Sequence, residues 1–389
     1  MLLSISLMMI LGFSLGGVLN KFRLPPLLGM MIAGIILGPY AMDMISDDIL
    51  NISTELREIA LIVILIRAGL SLDINDLKKV GRPAFLMCFV PALFELTLTT
   101  FLAPVIFNIS YLEAAIMGSV LAAVSPAVVV PRMIEMIGNG KGSSKKIPQL
   151  IMAGASVDDI FVIILFASFL GMYTGSGFDG LNLLKVPLSV ILGLATGIVT
   201  GLILVKLFKT IHTRDTIKVL IILSISFLLV SLEDYIAAVV PFSGLLAVMA
   251  LGGTILESYQ VLAVRLMGKF SKIWVASEIL LFVLVGAAID IRYVPLAGVS
   301  ALILIICALI FRIAGVFTSL VNTNLNFKEK LFCAIAYTPK ATVQAAIGSI
   351  PLSAGVASGN TILTVAVLAI MITAPLGAVG IDRLQNKLL

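Results

Sequence analysis

Two adjacent carboxylates, Asp158 and Asp159, sit in MAGASVDDIFVIILFASFL (residues 152–170), a stretch otherwise apolar enough to cross a membrane. A charged side chain at the centre of a spanning helix costs about 2.5 to 3.5 kcal/mol on insertion scales. A chain that carries two such groups side by side uses them. Carboxylates are hard oxygen ligands, suited to a small alkali cation that has shed part of its water. Burial disfavours the charged carboxylate, while a bound cation or a nearby ammonium favours it. The same oxygen can therefore hold a proton or a metal ion, and one displaces the other.

Three further ionisable side chains fall near mid-depth in apolar segments: Glu95 in PALFEL, Arg312 in LIFRI and Lys340 in TPKATVQ. Intramembrane charges are functional candidates by default, usually paired and facing a cavity. The expected pairs are Asp158 with Lys340, released when a cation competes for the carboxylate, and Glu95 with Arg312 as a structural pair. Arg67 lies nearer the loop SLDINDLKK and is expected to snorkel towards the interface. The polar residues Ser125, Thr342 and Gln344 are weaker candidates for ion ligands.

The elements that must hold these groups follow from composition. Of 389 residues, 60% are hydrophobic and 12% charged, and the mean hydropathy is +1.18. Average soluble domains carry about 25% charged residues, so a water-soluble globule is excluded. The expected class is an all-α polytopic membrane protein. MLLSISLMMILGFSLGGVL has neither a basic start nor a small-residue cleavage site, and reads as a retained spanning helix. Cys88, Cys307 and Cys333 all lie in apolar segments, as free thiols do, with no CxxC metal pattern. The one histidine, His212, lies in the basic loop FKTIHTRDTIK and reads as solvated.

Apolar windows of spanning length occur near 2–19, 24–41, 55–72, 82–107, 111–136, 147–172, 184–206, 216–232, 235–256, 273–290, 294–320, 328–349 and 360–383, which predicts 13 transmembrane helices. The junction between the eighth and ninth, around LEDYIAAVVPFSG, is the weakest boundary. Twenty of the 26 lysines and arginines fall in odd-numbered loops and the C-terminal tail, and only Arg57, Lys185 and Arg292 in even-numbered loops. The positive-inside rule then puts the N-terminus outside and the C-terminus in the cytoplasm. The net charge of +5 is thus spent on topology, and no nucleic-acid partner is implied.

Composition also interrupts two of the windows. The fifth contains SPAVVVP, with Pro126 and Pro131, and the twelfth contains Pro339 in a run of polar residues. Proline removes a backbone donor and clashes one turn back, so both are expected to unwind at mid-depth. Helices one to six and eight to thirteen superpose as two halves, with the seventh as connector. Fifth then matches twelfth, and Glu95 on the fourth matches Arg312 on the eleventh. An offset of seven helices inverts one half relative to the other, which predicts two inverted six-helix repeats with broken crossing helices. Paired interruptions of that kind point to a transporter's binding site.

An intramembrane aspartyl protease is the rival with enzymatic activity. Its dyad needs two carboxylates that converge and share a proton, whereas neighbours on one helix diverge by about 100°. A channel lined by rings of groups does not account for inverted broken helices. A transporter, not an enzyme, is the expectation.

The runs LAAVSPAVVVP, GASVDDI, LIFRI, FKEKLF and PKATVQAAIGS resemble the animal-type branch of sodium/proton antiporters within the cation/proton antiporter superfamily, a resemblance that extends over about residues 24–383. The resemblance implies the NhaA/NapA-like antiporter fold and exchange of sodium or lithium for protons by an elevator-type alternating-access mechanism. It implies Asp159 as the main cation- and proton-binding carboxylate and Asp158 as its partner, so that Na+ binds at this pair. Arg312, Glu95 and Lys340 match the family's charge partners. No cofactor is implied, because Na+ or Li+ and H+ are cargo.

The resemblance further implies a homodimer in the plasma membrane, in contact with lipid. Residues 1–72 and 216–290 would form a dimerisation panel, 82–172 and 294–383 an ion-transporting core, and 184–206 a linker helix. A potassium/proton antiporter, or a sodium-coupled organic-anion symporter of the same architecture, is the alternative.

Overall fold

The computed structural model of the chain describes residues 1–71, 81–142, 145–175, 180–211, 213–236, 242–289 and 294–389. Every regular element among them is a helix. Nine helical spans, two of them interrupted within (Arg82–Phe107 and Tyr111–Gly138), are long and apolar enough to cross a membrane: Leu2–Lys21, Arg82–Phe107, Tyr111–Gly138, Ile147–Thr174, Ile191–Thr210, Asp215–Glu233, Gln260–Ala287, Gly298–Ser319 and Gly359–Leu388. Pro26–Leu37 and Gly244–Ser258 are shorter apolar helices. The chain is an all-helical polytopic membrane protein. His212, Lys78, Lys79, Arg292 and positions 237–241 of the weak junction lie outside the described residues.

Boundaries moved where charge is tolerated on an interfacial turn. The helix expected from 273 begins at Gln260, because Arg265, Lys269 and Lys272 recur at near-helical spacing and ride on one flank. One interruption was not anticipated: Arg82–Met87 and Val90–Phe107 are separate helices, with Pro91 in the first turn of the second. In the fifth window, Pro126 opens a new helix, Pro126–Gly138, while Pro131 is accommodated inside it. Proline is favoured at a helix start, where its missing N–H leaves nothing unpaired.

The chain divides into two compact units, one of Met1–Thr54, Asp73–Tyr173 and Leu281–Leu389, the other of Glu55–Leu72 and Thr174–Leu280. In the first, Val90–Phe107 lies along Val294–Ser319. Gly315 permits this approach, since a Cβ there would meet Pro91 Cα at 2.7 Å. Pro91 is one turn from Glu95, and Gly315 nearly one turn from Arg312, so the close crossing delivers these two charges to each other. Both broken segments open with a capping box: Ser110 with Glu113 starts Tyr111–Leu121, and Asn326 with Glu329 starts Phe327–Ala336. A buried apolar cluster that includes Met87, Val129, Met133, Ile151, Phe332, Cys333 and Tyr337 packs among these helices and Ile147–Thr174.

The second unit is held by small residues. Gly193, Gly197 and Gly201 recur every four positions along Gly180–Thr210 and face Gly244–Ser258. A Cβ on Gly197 would lie 2.3 Å from the Ala247 carbonyl oxygen. Without a hydrophobic driving force between helices in lipid, such backbone-to-backbone contact supplies the packing. Gly197→Leu is therefore expected to lower the melting temperature in detergent by several degrees. Val199→Leu, at a site 55% exposed, should leave it unchanged; equal melting of the two variants would show that the stripe carries no stability.

Candidate functional site

Both broken segments stop at a free carbonyl end. Tyr111–Leu121 ends with Ala122 as its cap, and Phe327–Ala336 ends with Tyr337. The last carbonyls of a helix have no intrahelical partner and carry roughly half a negative charge in sum. Arg312, on Val294–Ser319, answers both. Its Nε donates to the Tyr337 carbonyl at 2.6 Å, and its Nη1 donates to the Ala122 carbonyl. Lys340, in the second break, donates from Nζ to the Leu121 carbonyl.

The carboxylates complete the cluster. Arg312 Nη1 also donates to Glu95 Oε2 at 2.9 Å, and Nη2 to Asp158 Oδ2 at 2.8 Å. Lys340 Nζ lies 2.7 Å from Glu95 Oε1 and donates to Oε2 at 2.8 Å. Asp158 Oδ2 accepts a further bond, 2.8 Å, from the Val124 N–H within the first break. Glu95, Asp158 and Arg312 are fully buried and Lys340 is 1% exposed.

The expected pair of Glu95 with Arg312 is present, and the expected pair of Asp158 with Lys340 is not. Lys340 pairs with Glu95 and makes no ion pair with Asp158; Arg312 is shared between Glu95 and Asp158. The reason is geometric. A guanidinium presents five donors in a planar fork and can bridge two carboxylates and two carbonyls at once, whereas the ammonium reaches only what lies at the tip of one stem. Two cations face three carboxylates, and Asp159 is the one left over. Among the described residues it takes part in no ion pair, and its Oδ1, like Asp158 Oδ1, has no hydrogen-bond partner.

The weaker candidates mostly mend the breaks. Gln344 Nε2 donates to the Val120 carbonyl at 3.1 Å and the Ala123 carbonyl at 3.0 Å. Ser125 donates its N–H to the Pro339 carbonyl at 2.7 Å, which ties one break to the other, and its Oγ lies 3.5 Å from Thr342 Oγ1. Freed backbone groups at membrane depth must find such partners. Gln344 Oε1 has none.

A family model for the sodium/hydrogen exchanger, transmembrane, matches residues 5–387. The chain belongs to the sodium/hydrogen exchanger family. This exchanger is 34% identical over 405 residues to sodium/hydrogen exchanger 9B2 of Homo sapiens, covering 98% of this chain and 73% of that protein. It is 33% identical over 379 residues to sodium/hydrogen exchanger 9B1 of Homo sapiens, covering 94% of this chain and 73% of that one. The resemblance to the animal branch is thereby shown. Among solved structures, the sodium proton antiporter MjNhaP1 from Methanocaldococcus jannaschii at pH 8 superposes with a TM-score of 0.84 at 20% identity, over 99% of this chain and 97% of that one. That likeness shows a shared fold.

Sequence reasoning missed what the exchanger's backbone contributes, the carbonyls of Leu121, Ala122 and Tyr337 and the N–H of Val124, because nothing in residue identity marks where a helix stops. It also missed Glu278. This carboxylate lies one turn beyond Trp274, whose ring the Arg67 guanidinium covers at 5.4 Å from the centroid. A carboxylate in the tenth apolar window was the available signal.

Removing Glu95 strands Lys340 and takes one of the two carboxylates from Arg312, whereas removing Lys340 leaves Glu95 held by Arg312. Breaking a buried pair costs about 3 to 5 kcal/mol, so Glu95→Ala should lower the melting temperature in detergent well below that of Lys340→Ala. The reverse order would overturn the shared-partner arrangement.

Proposed function

We propose that the chain exchanges sodium, or lithium in its place, for protons across the membrane, with Asp159 as the carboxylate that takes either ion and Asp158 beside it in the site. The observation that carries this reading is the unequal state of the two aspartates. Asp158 has one oxygen engaged by Arg312 and Val124, while Asp159 takes part in no ion pair among the described residues and has an oxygen without a hydrogen-bond partner. A carboxylate without counter-charge at membrane depth holds a proton or a cation, and exchange follows when the two compete on alternate sides. The named activity of the relatives supports the same reading. Na+ and H+ are cargo, and no resident cofactor enters.

The layout of two inverted halves is part of the proposal, and internal spacing supports it. Glu95 and Arg312 are 217 positions apart and touch; so are Ser125 and Thr342. A constant offset is what an internal repeat requires, and residues near a twofold axis meet their own counterparts. The capping boxes keep nearly the same spacing: Asn326 follows Ser110, and Glu329 follows Glu113, by 216. Each glutamate also reaches the start of the last helix of the other half. Glu113 Oε1 accepts from the Ser358 N–H ahead of Gly359–Leu388, and Glu329 Oε2 takes Lys145 Nζ ahead of Ile147–Thr174.

Thirteen spans, an external N-terminus, a plasma-membrane homodimer and an elevator movement complete the reading. The alternation of basic loops supports the orientation, and the family resemblance supports the others. A potassium/proton antiporter would show the same pH response with potassium as driver. A sodium-coupled organic-anion symporter would take up sodium only with its substrate and show no ΔpH-driven exchange.

In proteoliposomes carrying a pH-sensitive dye, Asp159→Asn should abolish sodium-driven proton movement, since it keeps the shape and removes the titrating charge; wild-type exchange in this variant would sink the assignment. The apparent KM for sodium should also rise as pH falls. Protons then occupy the carboxylate, and one competing proton limits the rise to about tenfold per pH unit. A KM independent of pH would rule out a shared site.

A further inference from the structure

Each break carries a main-chain donor that a later helix receives. In the first, the Val124 N–H is donated to Asp158 Oδ2 at 2.8 Å. In the second, the Lys340 N–H is donated to Thr373 Oγ1 at 2.9 Å, on the last helix, Gly359–Leu388. Val124 and Lys340 are 216 positions apart and Asp158 and Thr373 215, close to the offset of 217 between Glu95 and Arg312. Both acceptors are buried, and Ala374 follows Thr373 where Asp159 follows Asp158. Threonines within helices commonly turn the hydroxyl back on their own main chain, as Thr364 does to the Asn360 carbonyl at 2.8 Å. Thr373 receives a donor from another segment. One turn on, a Cβ at Gly377 would fall 2.3 Å from the Pro339 ring, so the last helix meets the break at two successive turns.

We propose that Thr373 is the counterpart of Asp158 in the second half and a positioning residue for exchange. Its hydroxyl fixes the break at Lys340, and with it the point from which the ammonium reaches Glu95 and the Leu121 carbonyl. The inference rests on the inverted-repeat reading given above. The same twofold explains why a hydroxyl stands here. It exchanges Glu95 and Arg312, so the contact of Arg312 with Asp158 in one half maps onto Glu95 and position 373 in the other. A carboxylate beside Arg312 is paired; one beside Glu95 would face a like charge in an apolar surround. Position 373 therefore needs an acceptor and excludes a negative charge, a demand that threonine meets. The carboxylate pair thus belongs to one half alone.

The test measures sodium-driven proton movement in proteoliposomes and the melting temperature of the same preparations. Thr373→Val keeps the shape and removes the acceptor, leaving the Lys340 N–H buried and unpaired. The melting temperature should fall by several degrees and the maximal exchange rate by about fivefold or more. Thr373→Ser, which keeps the hydroxyl, should stay near wild type in both. Thr373→Asp should melt well below Thr373→Asn, which has the same shape without the charge. Adding Glu95→Gln to Thr373→Asp removes the like charge and should raise the melting temperature above that of Thr373→Asp alone. Adding Asp159→Asn, an equal charge that the twofold does not set beside position 373, should give no such gain.

If Thr373→Asp yields no folded protein, recovery of folded protein with Glu95→Gln is the supporting result. Wild-type behaviour of Thr373→Val, or a Thr373→Ser as damaged as Thr373→Val, overturns the positioning role. If valine and serine divide as stated but Glu95→Gln brings no recovery, or Asp159→Asn brings as much, the repeat reading fails at this place and the counterpart assignment falls with it. Absence of exchange in the wild type sinks the antiport reading instead, and the melting temperatures of the same variants still decide the other two.

Discussion

A single guanidinium has to satisfy two severed helices and two carboxylates at the same point, and much of the first unit is arranged around that demand. Arg312 donates to the carbonyls of Ala122 and Tyr337, which end the first halves of the two broken segments, and to Glu95 and Asp158. Away from water, each of these acceptors would cost several kcal/mol unpaired. Arginine suits the position because its charge is permanent and its donors are fixed in a plane. A lysine has three donors on one nitrogen and would leave one end of this arrangement open.

Packing follows from the same demand. Gly315 lets Val294–Ser319 approach Val90–Phe107 closely enough for Arg312 to meet Glu95, and Gly377 lets Gly359–Leu388 pack on Pro339, a Cβ there falling 2.3 Å from the proline ring. Glu113 and Glu329 each cap their own helix and bind the start of another. The breaks are thus held at depth from both ends. An interruption that weakens an isolated helix is compensated by partners from four others.

Function enters through what the cluster leaves unbalanced. Two buried cations face three carboxylates; Glu95 and Asp158 are ion-paired, and Asp159 is the one left over among the described residues. A fully neutralised cluster would have no reason to bind an ion, and a larger deficit would not be tolerated in an apolar surround. The structural pairs thus leave one carboxylate that the scaffold does not use, and it is the one proposed to carry cargo.

The residue types were enough to mark a polytopic helical membrane protein, to single out the five charges of the candidate site and to place both interruptions, because an ionisable group or a proline in an apolar window is costly wherever it lies. The motifs SPAVVVP and PKATVQAAIGS carried the family. Which charge meets which was decided only by the tertiary structure. Lys340 and Arg312 are both cations at similar depth, and their partners depend on reach and fork geometry that sequence position does not encode. The same holds for the backbone groups of Leu121, Ala122, Val124 and Tyr337, which become ligands only because a helix stops there and another passes by. Thr373 shows the limit most plainly. In the sequence it is one hydroxyl in a long apolar helix; in the fold it receives the N–H of Lys340, because a break in another segment comes to lie against that turn.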